Sequence, residues 1–285
     1  MQSVELLRDY GFNVIYVNPI ESTARVELGV DDLREKVLAL IREAMGQLAW
    51  GKVIWAVIDI AREALEAGTR RLAVIVDDIF QAIGIDKAAI YVKGLLGILE
   101  HPPVEYERVV AVVATSEGLS LREIGRHNWA EFKPTWNMAK GGFEKLYEQI
   151  PGGKPPFNDA WQETGGNPRM LLRLYRAGWS VDAVVRELIR EKGITPQFIN
   201  KWRTWLRGAV EDPDVLWSPE APGELINELI SMNLILYNLH DRDPWFWIDQ
   251  PPPKRDPELG IGKYVAWQTP LHREVVKRAL ETLGN

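Results

Sequence analysis

Residues 70–78 constrain the fold of this chain more than any other stretch. Arg-Arg-Leu-Ala-Val-Ile-Val-Asp-Asp sets five apolar positions, mostly β-branched, directly before two adjacent carboxylates. A short continuous apolar run of this kind reads as a strand buried on both faces of a parallel sheet. The acids then fall at its carboxyl end, where open α/β sheets place their ligands. Two neighbouring carboxylates at a strand tip suit a division of labour in which Asp77 holds a Mg²⁺ through its water shell and Asp78 orients an attacking water. The same residues also suit a buried strand that ends in a polar turn, and this stretch by itself does not separate the two.

The order of the flanking segments extends the argument. Residues 2–10 are helical in pattern and end at Gly11; Phe12–Val17 follows as a strand closed by Asn18-Pro19. Asp31–Leu48 carries Leu33, Val37, Leu40, Ile41 and Leu48 on one helical face, and Val53–Ala67 reads as a second long helix. After the strand at Leu72–Val76 come a helix near Ala88–Leu99, broken by Pro102-Pro103, and a buried strand at Val109–Ala114 that runs into Thr115-Ser116. Strands alternating with helices predict an α/β fold, a three-layer parallel sheet. Glu131-Phe132-Lys133-Pro134 reads as a short final strand. Beyond about residue 150 the pattern changes to short helices over 158–210. The remainder reads helix (Glu224–Asn233), strand (Leu234–Leu239), a Pro-rich excursion around Pro251–Pro253, strand (Tyr264–Trp267) and helix, an order that fits a winged helix with a long wing.

Composition excludes several classes. With 285 residues, 46% of them hydrophobic, the chain has room for one large α/β domain and a smaller one. The absence of cysteine rules out disulfide scaffolds, thiolate zinc sites and thiol catalysis, and fits a cytoplasmic and thermophilic setting. No stretch reaches the ~20 apolar residues of a membrane span, and Glu5, Arg8 and Asp9 interrupt any signal-peptide core. The net charge of −6 leaves nucleic-acid binding to a local basic patch, yet residues 222–285 hold seven Lys/Arg against nine Asp/Glu. DNA is therefore disfavoured as a partner of the winged-helix region. His101, His127, His240 and His272 lack metal-ligand spacing. Trp202 and Trp205, beside Lys201, Arg203 and Arg207, fit helix packing better than base stacking. Arg122 and Arg126, after the strand at 109–114, are positioned as surface arginines or as a contact to phosphate.

Near the middle of the chain, Glu163-Thr164-Gly165-Gly166-Asn167-Pro168-Arg169 opens a helix. The glycines permit close backbone approach, Pro168 suits the first turn, and Arg169 is placed to face a nucleotide. Taken together with Ile15-Tyr16-Val17-Asn18, Val74–Asp78, Val112–Ser116 and Phe132-Lys133-Pro134, this motif gives an order and spacing that resembles the archaeal-type P-loop ATPases of the signal-transduction (STAND) group of AAA-plus-like NTPases. The resemblance covers nearly the whole chain. It implies an α/β P-loop NTPase core over 1–150, a helical lid over 151–215 and a winged helix over 216–285. It further implies ATP and Mg²⁺, with Asp77 as the metal-side Walker B acid and Asp78 as the water-orienting acid in place of the usual Glu. Thr115 or Ser116 would be the sensor; Gly165, Gly166, Pro168 and Arg169 would lie on the adenine side, and Arg126 within reach of phosphate.

One departure is severe. The chain contains no Gly-x-x-x-x-Gly-Lys-Ser/Thr, the loop that in the family directly precedes the helix beginning here at about Gln2. Without it there is no lysine and no amide nest for the phosphates, so weak MgATP binding is expected. A late start, a degenerate family member and a partner that supplies the missing strand each account for this, and the first is expected because the chain opens within a helix. The expectation is thus an ATP-driven switch whose lid and winged helix report nucleotide state to a protein partner, oligomerisation being open. The alternative is a non-catalytic adaptor derived from such an ATPase that binds protein or DNA through its winged helix.

Overall fold

A computed structural model describes residues 2–21, 23–29, 50–115 and 131–283, together with 31, 32, 34–36, 38 and 39. The chain divides into two compact units, Met1–Glu131 and Phe132–Asn285. Among the described residues no helix is long and apolar enough to cross a membrane.

The first unit is a mixed sheet with helices on both faces. α1 (Gln2–Asp9) ends where Gly11 takes a φ of +79°, which lets Gly11 N–H reach Arg8 O and Phe12 N–H reach Leu7 O. β1 (Asn13–Asn18) follows and pairs antiparallel with β2 (Thr23–Glu27). α2 (Trp50–Glu66) leads to β3 (Arg71–Asp77), which is parallel to β1 with Val17 opposite Val76. α3 (Ile79–Ile83), α4 (Ile85–Glu100) and β4 (Arg108–Ala114) complete the unit, β4 lying parallel to β3 with Ala114 opposite Asp77. The strand order is β2-β1-β3-β4.

Alternation along the strands feeds two cores. Ile15, Val17, Leu72, Val74 and Val76 face α2 and α4, where they meet Ile60, Ala64, Leu65, Tyr91 and Leu95. Val14, Ala73 and Ile75 face the other way and are covered by Val4 and Leu7 of α1. The continuous apolar run at 72–76 is explained by this burial on both sides. Burial also pushes the Tyr91 hydroxyl pKa well above the ordinary tyrosine value.

Two expectations are corrected. The sheet is not purely parallel, because β2 forms a hairpin with β1. Only Val26 of its five residues is buried, so no alternating hydrophobic signal announces it. Residues 131–134 are not a strand. Pro134 has no N–H to give to a ladder; its carbonyl accepts from Ile248 N–H at 3.0 Å, and Thr135 makes a single bridge to Ile248. Phe132–Pro134 belong to the second unit. The helix expected over 31–48 falls largely outside the described residues.

The second unit is mainly helical. It contains α5 (Lys140–Glu148), α6 (Phe157–Thr164), α7 (Pro168–Arg176), α8 (Val181–Glu191), α9 (Pro196–Glu211) and α10 (Gly223–Ser231). A two-stranded antiparallel sheet, β5 (Ile235–Tyr237) with β6 (Val265–Trp267), and the closing α11 (Pro270–Thr282) follow. Trp267 is fully buried and donates its indole N–H to Ala209 O at 3.0 Å, which ties β6 to α9. Trp202 and Trp205 pack against the same core. The long excursion between β5 and β6 is pinned by Asp214, on a 3₁₀ turn at Pro213–Trp217, whose carboxylate accepts the backbone N–H groups of Lys263 (2.6 Å), Tyr264 (2.8 Å) and Val265 (3.0 Å).

Candidate functional site

The strand tips of the first unit carry the best-formed polar cluster. β3 delivers Asp77 to the face shared with Tyr16, and the Tyr16 hydroxyl donates to Asp77 Oδ2 at 3.2 Å. Burial, followed by the charge of Asp77, raises the Tyr16 pKa, so the hydroxyl stays a donor across the neutral range. The chain then turns sharply. Asp78 adopts a φ of +53°, unusual for a residue with a side chain, and its N–H bonds to Ala114 O at 3.1 Å. That turn swings the second carboxylate away from the strand, where Asn18 Nδ2 donates to Asp78 Oδ2 at 3.4 Å. Asn18 is buried, and its Oδ1 accepts Glu21 N–H at 2.9 Å, so the amide is held from both ends. Both acids are half-buried and remain accessible from the carboxyl edge of the sheet.

Asp77, Asp78 and Thr115 are therefore brought together at adjoining strand ends, Thr115 following directly on Ala114, the partner of Asp77. Ser116 and Arg126 lie outside the described residues. Tyr16 and Asn18 were legible as part of a motif, yet neither stands among the candidate site residues named from sequence. The signal that singles them out is polarity at alternate positions of an otherwise apolar strand, on the face that also carries the tip of β3.

The oxygen chemistry suits a magnesium ion. Mg²⁺ keeps several waters and takes only one or two carboxylates together with phosphate oxygens, so a pair of acids is enough. Among the described residues no group of three or more His, Cys, Asp or Glu could hold a metal in a closed protein cage.

The residues 163–169 lie in the second unit and form a helix–turn–helix corner. Gly165 ends α6 in the left-handed conformation, and Gly166 has a φ of +84° with its α-carbon so placed that a Cβ would meet Met138 O at 2.6 Å. Asn167 caps α7 by accepting Met170 N–H at 3.1 Å, and Pro168 takes the first helical position. Asn167 also donates to Asn137 Oδ1 at 2.8 Å, while Asn137 Nδ2 donates to Gln268 O at 3.1 Å. Arg169 is 74% exposed and lies 3.9 Å from Glu191. Glycine at 165 and 166 is thus demanded by backbone conformation and packing, whatever else the corner does.

A protein-family model described as an ATPase domain predominantly from Archaea matches residues 1–174. The chain belongs to this family. The match spans the whole sheet, the carboxylate pair and the 163–169 corner. Membership in this family fits the mostly parallel α/β core. No curated protein matches the chain.

Proposed function

We propose that this archaeal ATPase-family chain is the body of an ATP-dependent switch of the STAND type, built as a core, a lid over 151–215 and a winged helix from 216. The observation that carries the reading is the Asp77–Asp78 pair at the end of β3, each acid held by a side chain from β1. In this reading Tyr16 occupies Oδ2 of Asp77, and Oδ1 would hold a Mg²⁺ through its water shell. Asn18 orients Asp78 as acceptor for the proton of an attacking water, and Thr115 donates toward the terminal phosphate. A bound Mg²⁺ would neutralise charge developing on the phosphate oxygens. Gly165, Gly166, Pro168 and Arg169 supply the nucleotide-side surface of the lid, with Ser116 and Arg126 as the further sensor and phosphate contact. Loss of the γ-phosphate then frees the lid and winged helix to signal to a protein partner.

The 285 residues contain no Gly-x-x-x-x-Gly-Lys-Ser/Thr, which favours a second reading, an ATPase-derived adaptor that binds a protein without turnover. Equilibrium binding of a fluorescent ATP analogue separates the two. It is measured with Mg²⁺ on this chain and on a version extended upstream through its reading frame. Mg²⁺-dependent binding that Asp77→Ala weakens supports the switch. Absence of binding in both proteins refutes it and leaves the adaptor.

A further inference from the structure

The excursion between β5 and β6 presents a fixed apolar knob. Trp245, Phe246 and Ile248 are 70%, 43% and 52% exposed within four residues. They are not a loose loop. Trp247 between them is buried, packs edge-on against Trp136 and donates its indole N–H to Asp241 O at 2.8 Å. Asp243 caps the turn through Trp245 N–H at 2.9 Å, His240 stacks on Phe246, and Ile248 N–H is held by Pro134 O. Rigid display of tryptophan and phenylalanine marks surfaces that bind, because no ordering entropy is left to lose on contact. The rim is acidic. Asp243 and Asp249 are exposed and have no ion-pair partner among the described residues, and Arg242 is turned inward onto the carbonyls of Gly262 and Lys263. Phosphate backbones and anionic lipid are repelled by such a rim.

The complementary surface is on the same unit. α7 turns Leu172 and Tyr175 to solvent, 43% and 37% exposed, with Arg176 on the same face at helical spacing. Arg176 is exposed and has no ion-pair partner among the described residues, whereas Arg173 is directed into Glu187 and Glu191. An apolar pair bordered by Arg176 matches an apolar knob bordered by Asp243 and Asp249.

We infer that the Trp245–Phe246–Ile248 knob docks on the exposed face of α7 in a second copy of this chain. Carried in one direction, from the knob of one copy to the receptor of the next, the contact is heterologous and can propagate. The inference does not rest on the nucleotide reading, and its test needs no nucleotide. Sedimentation velocity over a concentration series should show self-association of the wild-type chain, with a dissociation constant on the order of tens of micromolar for so small a patch. It should weaken as salt rises. Trp245→Ser and Arg176→Glu, both at exposed positions, should each raise that constant at least ~10-fold while leaving the far-UV circular dichroism and thermal midpoint unchanged. An equimolar mixture of the two variants should form a heterodimer at wild-type affinity, because one chain keeps the knob and the other keeps the receptor. A wild type that stays monomeric into the hundreds of micromolar, variants that associate as well as wild type, or a mixture of folded variants that stays monomeric would each overturn the inference.

Discussion

Acidification should destabilise the second unit through one histidine. His272 is 5% exposed in the first turn of α11, where Nδ1 lies 2.8 Å from Thr269 Oγ1. The same Oγ1 accepts His272 N–H as the helix cap, so a neutral ring is satisfied by the threonine proton. Protonation would bury a charge, first of all, and would do so beside Lys192, Arg173 and Arg169; it would also face the positive end of the helix dipole. The pKa is pushed from 6.5 down to about 3. The unfolded chain therefore binds a proton that the folded chain refuses between those values. This contribution is fully present above the unfolded pKa and is lost as pH falls below about 6.5, at about 1.4 kcal/mol per pH unit. At pH 4.5, two units down, the loss is about 2–3 kcal/mol. Urea unfolding of wild type and His272→Gln at pH 7 and pH 4.5 isolates the term, because the carboxylates that also titrate in this window cancel in the double difference. Wild type should lose about 2–3 kcal/mol more than the variant. Equal losses, or an imidazole signal of His272 titrating near 6.5 in the folded protein, would refute the argument.

Three further outcomes are expected. Asp214→Ala strips the carboxylate from three backbone N–H groups and should cost about 3 kcal/mol in chemical denaturation, with Asp214→Asn recovering part of it through its remaining carbonyl. Gly166→Ala combines a left-handed backbone with a Cβ 2.6 Å from Met138 O, and should lower stability by about 2–4 kcal/mol, read as a shift in thermal midpoint. Tyr16→Phe removes the hydroxyl from Asp77 without a cavity; in a nucleotide-binding form of the protein, a Mg²⁺ titration should show roughly 3- to 10-fold weaker dependence on the ion with little change in stability.

The parts of this molecule that announce themselves in sequence are those governed by local rules. Leu72–Val76 and Val109–Ala114 are strands because continuous β-branched runs have one good fate, and Gly11 and Asn167-Pro168 mark helix ends through chemistry confined to a few residues. β2 was not legible, since a strand paired on one edge with a single buried residue leaves no period to read. The misplacement of Phe132–Pro134 has a different origin: an aromatic, a lysine and a proline carry no record of the residues more than a hundred positions away that receive them. At the candidate site the acids could be read from the strand they end. Their supports could not be assigned in the same way, because Tyr16 and Asn18 acquire meaning only when β1 is known to lie beside β3 in parallel register.

The docking of Phe132–Asn137 onto residues 248 and 268 also sets an order for synthesis. At ~5–20 residues per second, about 7 to 27 s separate the emergence of Pro134 from that of Gln268. During that interval Phe132 and Trp136 have no completed surface to settle on, while the four described strands of the first unit are already made. The nascent chain therefore passes through a stage in which these four strands trail an aromatic, unsatisfied tether, and this is the stage at which a chaperone or a neighbouring nascent chain would find it.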